Sequence, residues 1–226
     1  MINKQQHEIV LRRLLFDLFS HPQLCSQIAL KGGTCLYLFH GLDRFSTDLD
    51  FNLLESNLDA ELITQVLEKY LIIKDYEQKR NTYFWLGNFE KGLHNIKVEI
   101  GYREYPDKYE HKDMLGLTLK TMTLPYMFAH KLCAITDRKQ MVNRDIYDAW
   151  FLIKKNTKVA EEIIKIRTGK SLNEYLLHLA EFITQNISPQ GILQGLGEVL
   201  NDQQKKWAKE NLVKELLFEF KNLAVR

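Results

Sequence analysis

The sequence has few cysteines, little proline and no long apolar run. Only 3 cysteines and 4 prolines occur among 226 residues, and no two cysteines form a CxxC pair. An odd cysteine count without such spacing argues against a disulfide framework and suits a reducing compartment, so we interpret the cysteines as small core side chains. Charges interrupt every apolar stretch well before the roughly 18 to 20 residues that a membrane span needs. The polar first residues also lack the apolar core of a secretion signal, so we expect a cytoplasmic protein.

No excess of either charge sign is present. The formal net charge is +2, with 45% apolar and 27% charged residues, values that are typical of a soluble globular protein. This balance gives no strong electrostatic case for a nucleic-acid partner, since such binding depends on a local basic surface. Basic residues between 154 and 170 would form one, but Glu161 and Glu162 dilute them. A solvated helix face is therefore favoured there.

The first half of the chain contains both helical and strand patterns. Residues 4–20 have apolar side chains at helical spacing, and a short helix after Gly32 and Gly33 is expected to end at Gly41. Alternation of polar and apolar residues over 45–54 predicts a half-buried strand. A helix around 59–70 and strands at 71–78, 82–89 and 95–102 complete the predicted elements of this half.

The second half contains only helical patterns. From Thr123 onward, helices are predicted at 124–136, 143–154, 158–168, 172–186, 190–200 and 204–222. We therefore expect an α+β protein whose α/β domain covers residues 1–122 and whose helical domain covers residues 123–226.

A glycine turn before a short helix predicts a phosphate-binding site. Because Gly32 and Gly33 have no side chains, their backbone N–H groups can approach a triphosphate closely. The helix dipole behind them favours negative charge, and Thr34 adds a hydroxyl donor. A turn that begins a helix and binds no ligand is the alternative explanation for these residues.

Two aspartates predict a metal site. Asp48 and Asp50 are two residues apart on the predicted strand, so their carboxylates project from the same face. Because like charges this close repel each other, Mg²⁺, or alternatively Mn²⁺, would relieve the repulsion and neutralise an NTP. Such a pair by itself is also typical of a solvated strand end. The glycine turn and the aspartate pair together, in this order, favour a shared nucleotide and metal site.

Two runs of the sequence resemble a known family. The run KGGTCLYLFHGLDRFSTDLDF is similar to the signature of the AbiEii/AbiGii toxins, a branch of the DNA polymerase β-like nucleotidyltransferase superfamily. The run HKLCAITDRKQMVNRDIYDAWFL is a second match, and the likeness covers about residues 28–154. The family positions in this second run are filled by Lys131, Arg138, Arg144, Asp145 and Asp148.

The resemblance implies a fold and site roles. The fold would be an N-terminal polymerase β-like domain, a mixed sheet with flanking helices, followed by a C-terminal helical bundle that contributes Lys131 and Asp145 to the site. Lys131 would contact the triphosphate, and Asp145 would be a further catalytic residue. By the residues alone, Lys131 is equally typical of a solvated helix. Asp145 and Asp148 would then only favour the dipole of a helix capped by Asn143, and the role of Asp148 stays open.

Three further residues have two explanations each. Arg44 and Ser46 belong to the first matched run and would either orient the triphosphate or support the metal-binding loop. Glu99 alternates with apolar residues on a predicted strand and resembles in position the third acid of polymerase-like transferases. An exposed strand face that Glu99 shares with Lys97 is the alternative.

The implied activity is transfer of a nucleoside monophosphate from an NTP to an acceptor. The leading hypothesis is that the protein is a toxin of a toxin–antitoxin or abortive-infection system. It would modify the 3′ end of tRNA and be neutralised by a cognate antitoxin. A protein hydroxyl or a small molecule is the alternative acceptor. A non-catalytic interaction module on the same fold is a third hypothesis.

Overall fold

The computed structural model describes residues 3–55, 57–90, 94–137, 142–188 and 191–225. The chain divides into two compact units, Met1–Met122 and Thr123–Arg226. Arg138, one of the residues of the second matched run, lies outside the described residues. No helix in the described ranges has both the length and the apolar character needed to cross a membrane.

The first unit is a seven-stranded mixed sheet with three helices. Its elements are α1 Lys4–Ser20, β1 Ile28–Lys31, α2 Gly32–His40, β2 Leu49–Leu53, α3 Ala60–Glu68, β3 Ile72–Lys79, β4 Thr82–Asn88, β5 Ile96–Gly101, β6 Tyr109–Met114 and β7 Leu117–Met122. The strand order is β3-β4-β5-β2-β1-β7-β6. Strand β1 is antiparallel to β2 and parallel to β7, whereas β2 is parallel to β5. Mixed pairing of this kind with covering helices confirms the predicted α+β class.

The two faces of the sheet differ in polarity. Leu30, Phe51 and Ile100 are register partners on β1, β2 and β5, and all three are buried. Helix α1 covers this face, where the rings of Phe19 and Phe51 lie 6.2 Å apart. Because side chains alternate across a strand, the residues between these apolar positions point to the opposite face. That opposite face bears the charged residues of the candidate site.

Two features of the first unit differ from the sequence prediction. Strand β2 begins at Leu49 rather than at residue 45, because the preceding residues form a buried loop. No strand was predicted between 103 and 122, yet β6 and β7 pair there as an antiparallel hairpin. The β6 sequence YEHKDM is mostly polar and lacks apolar alternation. Backbone pairing with β7 therefore forms this edge strand without a local sequence signal.

The second unit is helical. Its elements are α4 Leu124–Asp137, α5 Asn143–Lys154, α6 Glu161–Thr168, α7 Leu172–Asn186, α8 Asp202–Trp207, a π-helix Ala208–Leu212 and α9 Val213–Val225. The predicted helix at 190–200 is wrong for its described part, since residues 191–199 form successive turns. Gly195, with φ 66°, is in the left-handed region there, which interrupts a right-handed helix.

The buried stripe of α1 generates a stability prediction. Leu14 is fully buried, whereas Ile9 on the same helix is 45% exposed. Replacing Leu14 by Ala removes core contacts and leaves a cavity, so we expect the free energy of unfolding to fall by about 2 to 5 kcal/mol. Ile9→Ala, the matched control, should cost about 1 kcal/mol or less. Urea unfolding followed by circular dichroism measures both values, and equal losses would contradict the described packing.

Candidate active site

Strand pairing brings three carboxylates to the polar face of the sheet. Asp50 on β2 is the register partner of Lys31 on β1 and of Glu99 on β5. Asp48 lies one residue before β2, and its Oδ1 accepts a hydrogen bond from the backbone N–H of Lys97 at 3.3 Å. The predicted placement of Asp48 within the strand is therefore corrected. Glu99 lies beside Asp50 on the adjacent strand, as expected for a third acid of the site.

Lys97 is a residue of this cluster to which the sequence analysis assigned no role. Its ammonium lies 2.8 Å from Glu99 Oε2 and 3.7 Å from Asp50 Oδ1. Burial lowers the pKa of Lys97, but attraction by the three carboxylates outweighs burial, so its pKa is raised above the ordinary lysine value. The sequence placed Lys97 only in the alternative explanation, an exposed strand face shared with Glu99. Only the pairing of β5 with β2 reveals their contact with the aspartates.

The glycine turn packs directly against Asp50. Gly32 has φ 76°, in the left-handed region, and a Cβ built on it would lie 2.7 Å from Asp50 Oδ2. A Cβ on Gly33 would lie 2.8 Å from an Arg44 guanidinium nitrogen and 2.9 Å from Ser46 Oγ. Real Cβ atoms essentially never approach so closely, so a side chain at either position would require the neighbouring Asp50, Arg44 or Ser46 side chain to shift. The glycine turn and the Asp50 carboxylate are thus in close contact.

Helix α2 begins at this turn. The N-cap residue Lys31 makes no side-chain capping hydrogen bond, and its ammonium instead donates to Asn52 Oδ1. The first-turn N–H groups of a helix have no partners within the helix and favour an anion. The start of α2 is therefore chemically suited to a phosphate group next to Asp50.

Buried hydrogen bonds hold the loop before Asp48. Thr34 Oγ1 lies 2.9 Å from Ser46 Oγ and also hydrogen-bonds the backbone carbonyl of Asp48. Arg44 is 2% exposed and donates to the backbone carbonyl of Phe45 at 2.9 Å. These buried contacts are those of loop support, the second of the two explanations weighed for Arg44 and Ser46. Nucleotide binding by Arg44, Ser46 and Thr34 stays a prediction.

His7 of α1 also holds this loop, and the sequence analysis missed it. The fully buried His7 places Nε2 2.8 Å from the backbone carbonyl of Thr47, beside Asp48. Burial lowers the pKa of His7, and the hydrogen bond to Thr47 offsets this only in part. The imidazole is therefore neutral at pH 7. Forty residues separate the partners, so no local motif could have indicated the contact.

The donor set fits a metal ion that arrives with a polyphosphate. Within the described ranges, no three His, Cys, Asp or Glu side chains are arranged to hold a metal by themselves. Magnesium is commonly bound by one or two carboxylates together with substrate phosphates and water. Asp48 and Asp50 offer such hard oxygen ligands, and the adjacent α2 turn offers a place for phosphate. The chemistry of these residues therefore fits a magnesium ion that takes its other ligands from a phosphate group or water.

The second unit contains a buried cluster formed by the second matched run. The Lys131 ammonium lies 2.9 Å from Asp145 Oδ1 and 2.8 Å from Asp148 Oδ2. Exposed fractions of the three side chains are 14%, 3% and 0%. Lys131 on α4 is therefore not the solvated helix lysine of the alternative explanation, because it links α4 to two acids of α5.

The predicted N-cap of α5 is also corrected. Asn143 is the first helical residue, Val142 is the N-cap, and the Asn143 side chain donates to the backbone carbonyl of Gly191 at 2.8 Å. Asp145 lies in the first turn of α5, where a carboxylate is favourable to the helix dipole. Its ion pair with Lys131 shows that it also contributes to packing.

The chain matches the family model of the nucleotidyl transferase AbiEii toxin of type IV toxin–antitoxin systems over residues 13–215. It is 29% identical, over 154 residues, to an uncharacterized protein of Aquifex aeolicus (strain VF5), covering 66% of this chain and 69% of that protein.

Two solved structures share the fold. JHP933 from Helicobacter pylori has 20% identity and a TM-score of 0.57, with 98% of this chain and 95% of that chain covered. A Helicobacter pylori protein provisionally described as a nucleotidyltransferase has the same identity and TM-score, with coverage of 97% and 96%. At this identity the similarity concerns the fold.

Two glycines with the same backbone strain test the close approach to Asp50. Gly41 has φ 77° but no atom within 4 Å of a built Cβ, whereas Gly32 combines φ 76° with the Asp50 contact. Gly41→Ala should cost only the left-handed strain, about 1 kcal/mol of unfolding free energy. Gly32→Ala should cost more and also displace Asp50, so binding of a fluorescent ATP analogue with Mn²⁺ should be lost. Equal analogue binding by the two variants would contradict the described turn.

The buried ion pairs of the second unit generate another prediction. Lys131→Met leaves two buried carboxylates without their ammonium partner, so unfolding free energy should fall by about 3 to 5 kcal/mol. Lys154 provides a control, because its pairs with Glu215 and Glu219 are exposed. Lys154→Met should change stability by less than about 1 kcal/mol. Thermal and urea unfolding measure the difference, which would vanish if Lys131 were solvated.

Proposed function

This chain belongs to the nucleotidyl transferase AbiEii toxin family of type IV toxin–antitoxin systems, and we propose that it transfers a nucleoside monophosphate from an NTP to tRNA. The acceptor in this proposal is the 3′ end, and the reaction depends on Mg²⁺. A cognate antitoxin, expected from the family, counteracts the resulting toxicity.

The close approach of Gly32 to Asp50 is the observation that carries the proposal. The turn begins a helix, and Asp50 Oδ2 lies only 2.7 Å from the position that a Cβ on Gly32 would take. Phosphate oxygens that accept hydrogen bonds from the N–H groups of the turn would therefore lie next to the carboxylates that hold the cation. Phosphoryl transfer depends mainly on such positioning and on charge neutralisation.

The residues of the first unit have distinct proposed roles. Asp48 and Asp50 hold the divalent ion, which when bound neutralises the triphosphate and the departing pyrophosphate. The N–H groups at Gly32 and Gly33 orient the phosphates. The acceptor hydroxyl attacks the α-phosphorus, its bond to the bridging oxygen breaks, and pyrophosphate leaves. Glu99 accepts the proton of the attacking hydroxyl in this proposal.

Lys131 and Asp145 enter the proposal through the second matched run. The resemblance supports triphosphate binding by Lys131 and a catalytic role for Asp145, and a lysine ammonium is a compact donor suited to phosphate. Their ion pair fixes both side chains in defined positions. Loss of either should therefore lower transfer as well as stability, so rates must be compared with folded fractions.

The transfer reaction tests the proposal directly. Purified protein is incubated with Mg²⁺, total tRNA and each NTP labelled at the α-phosphate, and label is expected at the RNA 3′ end. Asp48→Asn and Asp50→Asn should each lower the rate by at least about 100-fold, because the cation loses a ligand. Asp75→Asn is the matched control, since Asp75 is an exposed aspartate on β3, and its rate should equal that of the wild type.

The other outcomes identify the competing functions. If the label appears in protein or in a small molecule while the RNA stays unlabelled, the acceptor is that protein or small molecule rather than tRNA. Absence of label with all four NTPs would contradict the tRNA proposal, provided that a known tRNA nucleotidyltransferase is active in parallel. Growth inhibition that persists in Asp48→Asn and Asp50→Asn would favour a non-catalytic interaction module. Relief of growth inhibition by a co-expressed neighbouring gene would support the antitoxin.

A further inference from the structure

Lys97 is the charged residue of the carboxylate cluster to which the proposed chemistry gives no role. Its ammonium contacts Glu99 Oε2 at 2.8 Å and lies 3.7 Å from Asp50 Oδ1, while its backbone N–H donates to Asp48 Oδ1 at 3.3 Å. One residue therefore touches all three acids. Glu99 and Asp50 face each other across the parallel β2 and β5 strands, and the ammonium lies against both.

We propose that the Lys97 ammonium is an internal cation that neutralises this cluster and competes with the divalent ion for Asp50. The inference rests on the proposed function and adds regulation to it. Metal alone binds weakly, because it must displace the ammonium from Asp50. Metal with an NTP binds well, because the triphosphate supplies the negative charge that accommodates both cations. Lys97 thereby couples metal binding to nucleotide binding.

The competition follows from proximity. The Lys97 ammonium lies 3.7 Å from Asp50 Oδ1, so a divalent ion held by Asp50 would be repelled by the ammonium unless the ammonium moved away. The lysine side chain is long and flexible, so it can leave Asp50 while its shorter contact with Glu99 persists. The phosphates of a bound nucleotide offset the charge of the displaced ammonium, so the nucleotide strengthens metal binding. By linkage, the metal strengthens nucleotide binding by the same factor.

Exposure distinguishes this arrangement from a structural ion pair. The side chains of Lys97, Asp50 and Glu99 are 28%, 31% and 32% exposed. A solvent ion can therefore reach the carboxylates, and water can solvate the ammonium once it moves. The Lys131 cluster of the second unit, with exposed fractions of 14% or less, lacks this property. Accessible carboxylates with a mobile counter-ion are suited to ion exchange.

Mn²⁺ binding without catalysis tests the proposal. The matched pair is Lys97→Met and Lys79→Met, because Lys79 is also a strand lysine but pairs with Glu77, at 3.3 Å. Electron paramagnetic resonance measures free Mn²⁺ in the absence of nucleotide. Lys97→Met should bind Mn²⁺ about tenfold more tightly than the wild type, since a neighbouring positive charge is gone. Lys79→Met should match the wild type.

A non-hydrolysable NTP analogue provides the second arm. With the analogue present, wild-type affinity for Mn²⁺ should rise, and its difference from Lys97→Met should shrink to less than about threefold. Lys97→Arg retains the positive charge and should keep the weak metal binding of the wild type. A structural role alone would not produce this dependence on charge and nucleotide.

Folding of the variants is followed in the same series. If Lys97→Met unfolds at a lower temperature, added Mn²⁺ should raise its midpoint more than that of the wild type, which also supports competition. Lys97→Gln provides a second neutral variant with the same expectation.

The contrary outcomes separate this inference from the proposed function. Suppose that the wild type binds Mn²⁺ and the analogue together, but that both neutral variants bind Mn²⁺ no more tightly than the wild type. This result overturns the role of Lys97 and leaves the proposed function intact. If these variants bind the analogue more weakly at saturating Mn²⁺, Lys97 binds the phosphates of the nucleotide instead, and the competition with metal is overturned. A wild type that binds no Mn²⁺ even with the analogue overturns the metal site, and the role of Lys97 with it.

Discussion

The antiparallel register between β1 and β2 is the constraint on which the candidate site depends. It pairs Lys31 with Asp50, so the turn that follows β1 starts beside that carboxylate. A slip by one residue would move Asp50 to the apolar face and Phe51 to the polar one. Burial of Phe51 and of its partner Leu30 opposes such a slip, because exposing them would forfeit core packing. The apolar core therefore fixes the position of the acidic residues on the opposite face.

Charge is handled differently in the two units. In the first unit, acids around Asp50 share the ammonium of Lys97 and remain about one-third exposed. In the second unit, Lys131 is enclosed with Asp145 and Asp148, whose charges are almost fully buried. A buried carboxylate needs a permanent partner, whereas a solvated one can exchange a lysine for a metal ion. The first arrangement is suited to ligand binding, and the second also joins two helices.

Close packing around the glycine turn also shapes the site. A Cβ on Gly32 would lie 2.7 Å from an Asp50 side-chain atom, and one on Gly33 would lie 2.8 Å from Arg44 and 2.9 Å from Ser46. The loop before β2 is consequently packed against the start of α2, with His7 holding it from α1. His7 makes this contact from a fully buried position. A glycine-to-loop contact thus links the turn at Gly32 to the carboxylates of the candidate site.

The sequence by itself determined the family, the α+β class and the identity of the acidic pair. Periodicity located most helices and strands, because it reflects local burial. Only the tertiary structure decided that β6 forms. It alone also showed that Lys97 contacts the acids and that His7 supports the loop before Asp48. The edge strand has no apolar alternation, and the other two act on residues brought near only by strand pairing and helix packing. Contacts between residues far apart in the chain leave no periodic signal, so only the folded chain shows which charges share one site.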